Sequence, residues 1–184
     1  TLLSQTSTLR FTNSNVTMDN FTFDSRGNKN IIASNSKISL GNSKLNRIAL
    51  NLAGTNLNLF NSSLIDISSS SIIKSNIDIR DSNFTNSNYF ISINGSNLNM
   101  ENVKTEGLKE LKLIDSNSSI SNSHFTSSNC PINQTGGELN ISSTIFYNNT
   151  IGINVESGNA NIHFNTFFNN SKYSLRYKEG VDFA

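Results

Sequence analysis

Short apolar-polar-apolar triplets recur along the chain: Val16-Thr17-Met18, Ile38-Ser39-Leu40, Leu57-Asn58-Leu59, Ile77-Asp78-Ile79, Leu98-Asn99-Met100, Leu139-Asn140-Ile141 and Ile162-His163-Phe164. Alternation with a period of two is what a strand with one buried face produces. An eighth segment, Ile120-Ser121-Asn122, fits except at its last residue. The first residues stand at 16, 38, 57, 77, 98, 120, 139 and 162, so the intervals are 22, 19, 20, 21, 22, 19 and 23. A step of about 21 residues held over eight units predicts a solenoid, each unit burying its apolar face against the next. A disordered polar tract has no reason to keep such a step.

Two further apolar clusters complete each unit. One follows the triplet by five to seven residues, at Phe21/Phe23, Leu45, Leu64, Phe84, Val103, Phe125, Phe146 and Phe167. The other precedes the next triplet, at Ile48/Leu50/Leu52, Ile65/Ile67, Ile91/Ile93, Cys130/Ile132, Ile151/Ile153/Val155 and Tyr173/Leu175/Tyr177. Three short strands per unit predict an all-β parallel β-helix of about eight coils, stacked at about 4.8 Å into a rod roughly 40 Å long. The expectation is one domain over 1–184, with 1–15 as an incomplete first coil and 178–184 as an end without a cap. One segment departs from the pattern. Lys104, Glu106, Lys109, Glu110 and Lys112 crowd five charges into a stretch with no Asn or Ser, and Leu108, Leu111 and Leu113 suggest a helical turn or a bulging recognition loop, the alternative being a corner whose charges only keep it soluble.

Composition now acquires a use. Asn and Ser together account for 64 of the 184 residues, while Gly is held to 10 and Pro to 1. Four residues after the start of each triplet stand Asn20, Asn42, Asn61, Asp81, Asn102, His124, Ser143 and Thr166. The first five tolerate the left-handed backbone of a sharp corner better than other non-glycine residues. Stacked at one level, they are expected to bond side chain to side chain as a structural ladder. Small residues two places before each triplet (Ser14, Ser36, Thr55, Ser75, Ser96, Ser118, Gly137 and Ala160) suit a second corner.

The stretch Ile145-Phe146-Tyr147-Asn148-Asn149-Thr150-Ile151-Gly152-Ile153-Asn154-Val155 and the related run Ala160–Asn170 resemble the right-handed parallel β-helix repeat family. The resemblance is good over 130–184 and looser over 9–130. That family includes pectin lyase-like carbohydrate enzymes, periplasmic carbohydrate-binding repeat proteins and passenger domains of bacterial autotransporter adhesins. Phe146-x-x-Asn149 and Phe167-x-x-Asn170, with Gly136-Gly137-Glu138, are also similar to the paired repeats of chlamydial polymorphic membrane proteins. The pectin lyase-like resemblance implies that an enzyme would carry several carboxylates with Arg or Lys on one sheet.

The predicted outward rows do not supply that cluster. Before the triplets the row reads Ala49, Asp66, Ser92, Lys112, Pro131, Asn154 and Ser174. On the triplets it reads Thr17, Ser39, Asn58, Asp78, Asn99, Ser121, Asn140 and His163. One carboxylate per row is no pair, and glycoside hydrolysis generally uses two. Asp78, Asp81 and Glu101 are the nearest approach to a calcium site, yet as polar corner residues in water they need no ion. Cys130 is expected as a small buried hydrophobe, and Pro131 as a gap in the ladder. A net charge of +1 excludes a basic field for nucleic acid, and no apolar run is long enough to insert in a membrane. No cofactor is expected.

The expected role is that of a non-enzymatic, secreted or surface-displayed bacterial segment of a longer polypeptide, of the adhesin or autotransporter passenger type. It would attach to a host or cell-surface protein or glycan. The alternative is a carbohydrate-binding or carbohydrate-active β-helix, with Tyr147 or Tyr173 against sugar. Ice binding expects regular outward Thr ranks, and the triplet row has only Thr17.

Overall fold

The structure is a computed structural model and describes residues 2–4, 8–87 and 89–183. Its strands pair in parallel with partners 19 to 23 residues apart, as in Lys37↔Asn56 and Asn159↔Asp182. The chain winds as a right-handed parallel β-solenoid of about eight turns without helices. Three sheets run along it: a triplet sheet, a sheet built on a phenylalanine column, and a third sheet that leads into the next triplet. Leu2–Ser4 and Leu9–Thr12 already pair with the first coil. Thr1 and residues 5–7 of the expected incomplete coil, and Ala184 of the expected end, lie outside the described residues.

Two triplets are corrected. Leu98 pairs with Ser118 and Met100 with Ile120, while Leu139 pairs with Ala160 and Ile141 with Ile162. The sixth and eighth triplets are therefore Ser118-Ser119-Ile120 and Ala160-Asn161-Ile162, two residues earlier than the apolar pattern suggests. The first inward residue there is small, so the pattern slides to the next large one. Register on the triplet sheet is then unbroken from Asn15 through Lys37, Asn56, Asn76, Asn97, Asn117 and Glu138 to Asn159.

With the register set, all three corners follow one rule. A residue at positive φ turns the chain, and the next residue points inward. After the triplet the turning residues are Asn20, Asn42, Asn61, Asp81, Asn102, Asn122, Ser143 and Phe164, with φ between 46° and 55°. Asn122 and Phe164 replace the expected His124 and Thr166. Before the triplet they are Asn13, Asn35, Gly54, Lys74, Gly95, Asp115 and Gly136. At the far corner they are Arg47, Asp66, Asn86, Gly107, Ser127, Asn148 and Asn169.

The inward residue is most often a buried serine. Its hydroxyl donates to the carbonyl two residues back and accepts the backbone N–H of its counterpart one coil earlier. Ser82 Oγ donates to Arg80 O at 2.7 Å and accepts from Ser62 N at 3.1 Å. Ser75, Ser96, Ser116 and Ser123 repeat the arrangement. A backbone N–H that a sharp corner would otherwise orphan is thereby satisfied without water. Toward the later coils Asn149, Asn165 and Asn170 take over, the amide oxygen accepting a backbone N–H and the amide nitrogen donating to a carbonyl. Where Gly137 interrupts the series, buried Gln134 donates from Nε2 to the carbonyls of Gly136 and Gly137, both at 3.1 Å.

The core is a stack of inward columns. On the triplet sheet Ile38, Leu57, Ile77, Leu98 and Leu139 lie over one another beside Leu40, Leu59, Ile79, Met100, Ile120 and Ile141, all buried. Each fully buried aliphatic side chain contributes about 1.5–3 kcal/mol. On the second sheet Phe125, Phe146 and Phe167 stack at 5.2 and 5.1 Å between ring centres. Val103, expected in this column, sits instead in the corner after Asn102, and Thr105 is the column member, paired with Phe84 and Phe125. Thr105 Oγ1 is buried without a partner beside an apolar cavity of about 20 Å³.

The third sheet is also corrected in part. Its outward row is Arg10, Ile32, Asn51, Ser71, Ser92, Lys112, Asn133, Asn154 and Arg176. Asp66, Ala49, Pro131 and Ser174 are not in it. Pro131 is skipped, since Glu110 pairs with Cys130 and Leu111 with Ile132, which is the gap a residue without an N–H imposes.

Candidate interaction surfaces

The charged segment at 104–112 forms neither a helical turn nor a bulging loop. Lys104–Glu106 is a strand of the phenylalanine sheet, Gly107 turns the corner at φ 71°, Leu108 is buried there, and Glu110–Ser121 is the next strand. The leucines at 108, 111 and 113 are one corner residue and two inward strand residues, so their spacing mimics a helix without making one. Lys104 and Glu106 thus face out from one sheet, and Glu110 and Lys112 belong to another. Lys109 lies between them, with Nζ 4.5 Å from the centre of the Phe90 ring. Tyr89 and Phe90 are 45% and 41% exposed beside this cation. The apolar periodicity of the sequence does not pick out either aromatic, although adjacent aromatics in an Asn/Ser-rich stretch are a usable signal.

From this patch a polar line runs up the third sheet. Glu110 accepts from Asn133, Asn133 from Asn154 at 2.8 Å, and Asn154 from Arg176 Nε at 2.8 Å. Cys130 lies buried behind the patch and donates from Sγ to Ile132 O at 3.2 Å. Burial, helped by the nearby Glu110 carboxylate, pushes its thiol up to about 12, so it is no nucleophile near neutrality.

The triplet sheet presents a flat grid of three outward columns. One column contains a continuous amide ladder: Asn97 Nδ2 donates to Asn76 Oδ1 at 2.8 Å, and Asn76 Nδ2 to Asn56 Oδ1 at 2.9 Å. In the central column Asp78 Oδ1 accepts from Asn99 at 2.8 Å and from Arg80 Nε at 3.0 Å. Lys37, Asn56, Asn58, Asn76, Asp78, Asn97 and Asn99 border an open groove of about 460 Å³. The central column reads Thr17, Ser39, Asn58, Asp78, Asn99, Ser119, Asn140 and Asn161, so Asp78 remains its lone carboxylate.

The corner residues Asn20, Asn42, Asn61, Asp81 and Asn102 stand at one level, all exposed and all left-handed. Asn61 donates to Asn42 and Asn102 to Asp81, each at 2.6 Å, while Asn42 and Asn20 both donate to Asp19. Side-chain bonding at this level is therefore in two runs. The longest amide ladder among the described residues, on Asn56, Asn76 and Asn97, lies three columns away, at the opposite edge of the triplet sheet.

Elsewhere Asp24 is held below the usual carboxylate range, chiefly by its hydrogen bond from Arg47. His124 lies on the phenylalanine sheet with Nε2 buried and unpartnered, and His163 at the edge of the triplet sheet. Among the described residues no three His, Cys, Asp or Glu side chains are grouped to hold a metal ion, and no helix is long and apolar enough to cross a membrane.

No protein-family model matches the sequence, and no curated protein matches it. Among solved structures, that of trypsin-treated QnrB1, described as a plasmid-mediated fluoroquinolone resistance protein, is similar over 97% of this chain and 92% of that chain. The identity is 9% and the TM-score 0.26, a likeness that carries no argument about family or function.

Proposed function

We propose that this chain is a non-catalytic segment of a secreted or surface-displayed bacterial solenoid, of the adhesin or autotransporter passenger type. In this reading it attaches to a host or cell-surface protein or glycan through the third-sheet patch of Tyr89, Phe90, Lys109 and Lys112. The observation that carries the reading is the exposed Phe90 ring with the Lys109 ammonium 4.5 Å from its centre. Exposed aromatics beside cations are the residue types that dominate interface energetics. Against catalysis, the central triplet column and the third-sheet line hold one carboxylate each, and both are engaged, Asp78 by Arg80 and Asn99 and Glu110 by Asn133.

The test is binding of the labelled chain to cultured cells and to a glycan array, with Phe90→Ala and Lys109→Ala beside it. Saturable binding lost in both variants supports the reading. Release of sugar products from acidic or neutral polysaccharide would overturn it in favour of a carbohydrate-active β-helix. A sugar-binding role without turnover draws support from Tyr147 stacked on Phe168 at 5.4 Å, both exposed. Glycan binding lost in Tyr147→Ala but kept in Phe90→Ala would select it.

A further inference from the structure

We infer that the outer face of the triplet sheet is a self-complementary surface on which a second copy of this chain docks antiparallel. The inference is independent of the attachment patch, which lies on another sheet.

The face is regular enough for its charges to be placed by register alone. Its first outward column runs Asn15, Lys37, Asn56, Asn76, Asn97, Asn117, Glu138 and Asn159, and its last runs Asp19, Gly41, Phe60, Arg80, Glu101, Ser121, Ser142 and His163. Consider a two-fold axis parallel to the strands, passing between the fourth and fifth coils. It keeps each column on itself and reverses the order of the coils. Lys37 then faces the partner's Glu138, Arg80 faces the partner's Glu101, and Asp19 faces the partner's His163. In the central column Asp78 faces the partner's Asn99. Every charged side chain of the face meets an opposite charge, an imidazole or an amide, and each pair occurs twice because the contact is isologous.

Neighbouring arrangements lack this property. Sliding one coil in one direction sets Arg80 on the partner's Arg80 and Asp78 on the partner's Asp78. Sliding one coil the other way sets Glu101 on the partner's Glu101. Turning the partner about the solenoid axis instead again opposes the two Asp78 carboxylates. Like charges brought together across an interface cost several kcal/mol, so the charges select one register.

Three further features fit this occupant. Lys37, Glu101 and Glu138 are exposed and make no ion pair within the chain among the described residues. The Asn56, Asn76 and Asn97 amides are already ordered by one another, which lowers the entropy lost on docking. Eight five-residue strands present a patch of about 38 by 17 Å, or roughly 600 Å² per copy, at the lower edge of specific interfaces. A reversible dimer follows.

The experiment is sedimentation equilibrium of the full chain over a wide concentration range at low and high salt. The expected result is a monomer–dimer equilibrium that salt weakens. Lys37→Glu and Glu138→Lys should each weaken self-association at least about tenfold, because each homodimer then opposes like charges twice. An equimolar mixture of the two variants should dimerise again, since Glu meets Lys at both sites, as should the double variant. Lys112→Glu, on the third sheet, should leave the equilibrium unchanged. Circular dichroism checks the fold of each variant, and Arg80→Glu with Glu101→Arg forms a second pair for the same mixing test. A wild-type chain monomeric at every concentration overturns the proposal. So does a dimer indifferent to Lys37→Glu, or a mixture that fails to recover.

Discussion

The backbone N–H of Ser75 donates to Oγ of Ser96, 3.0 Å away and one coil further on. The same hydroxyl donates to the carbonyl of Asn94 at 2.8 Å, and Ser96 is buried. Removing it leaves the Ser75 N–H without that acceptor inside the stack. Ser96→Ala is therefore expected to cost about 1–3 kcal/mol in urea unfolding. Ser92→Ala, on the outward row of the third sheet, should stay within about 0.5 kcal/mol. Equal losses in the two variants would show that the corner serines are not structural acceptors.

Thr105 occupies the phenylalanine column with its hydroxyl buried and unpartnered, next to an apolar cavity of about 20 Å³. Thr105→Val keeps the shape and removes the unsatisfied group. It should raise stability by about 1 kcal/mol, read as a higher thermal midpoint. A lower midpoint would mean that the hydroxyl has a partner.

These two residues also indicate what a sequence reader can and cannot see. Five consecutive triplets, from Val16 to Leu98, are legible because both inward positions are large and apolar. The sixth and eighth are displaced because Ser118 and Ala160 stand where the eye expects a large side chain. The corner rank would have corrected this: Asn122 completes the Asn series, whereas His124 breaks it. The Asn-Ser dipeptides at 35, 42, 61, 86 and 122, and the Asp-Ser dipeptides at 81 and 115, record a turning residue followed by a buried acceptor. Composition hides them because Ser is ordinarily read as a surface residue. The amide ladder on Asn56, Asn76 and Asn97 was equally hidden, since only the three-dimensional register separates it from its neighbours. The charges at 104–112 stand out in the sequence, but a leucine spacing shared by corner and strand disguises their distribution over two sheets.

Phe164 turns a corner at φ 55° where the other coils use Asn, Asp or Ser, and it is 87% exposed. A bulky residue in the left-handed region costs about 1–2 kcal/mol, and Phe164 packs only edge-on against His163 among the described rings. Phe164→Asn should therefore stabilise the chain by about 0.5–1 kcal/mol, since Asn tolerates that region. Destabilisation in a thermal melt would assign the ring a packing role that outweighs its backbone strain.

Cys130 should resist alkylation in the folded chain and react readily once urea unfolds it. Burial raises its thiol from 9.0 to about 12 in the fold. The neutral thiol is thus favoured in the native state relative to the unfolded chain. The stability this contributes is complete below pH 9.0 and is lost as pH rises toward 12. Urea midpoints on the two sides of pH 9.0 should fall on the alkaline side, and less so in Cys130→Ala. A native thiol that alkylates as fast as the unfolded one would contradict its placement.

The most direct test of the solenoid and its register is a disulfide between neighbouring coils. Asn99 and Ser119 are Cα partners on the outer face of the triplet sheet, at the spacing of about 4.8 Å of adjacent parallel strands, which a disulfide spans. Asn99→Cys with Ser119→Cys should cross-link on mild oxidation and raise the thermal midpoint. Asn99→Cys with Ser121→Cys, the pair demanded by the triplet at Ile120, places the Cα atoms about 8 Å apart and should stay reduced. Cross-linking of the second pair and not the first would contradict the register on which the corners, the core and the self-complementary face all depend.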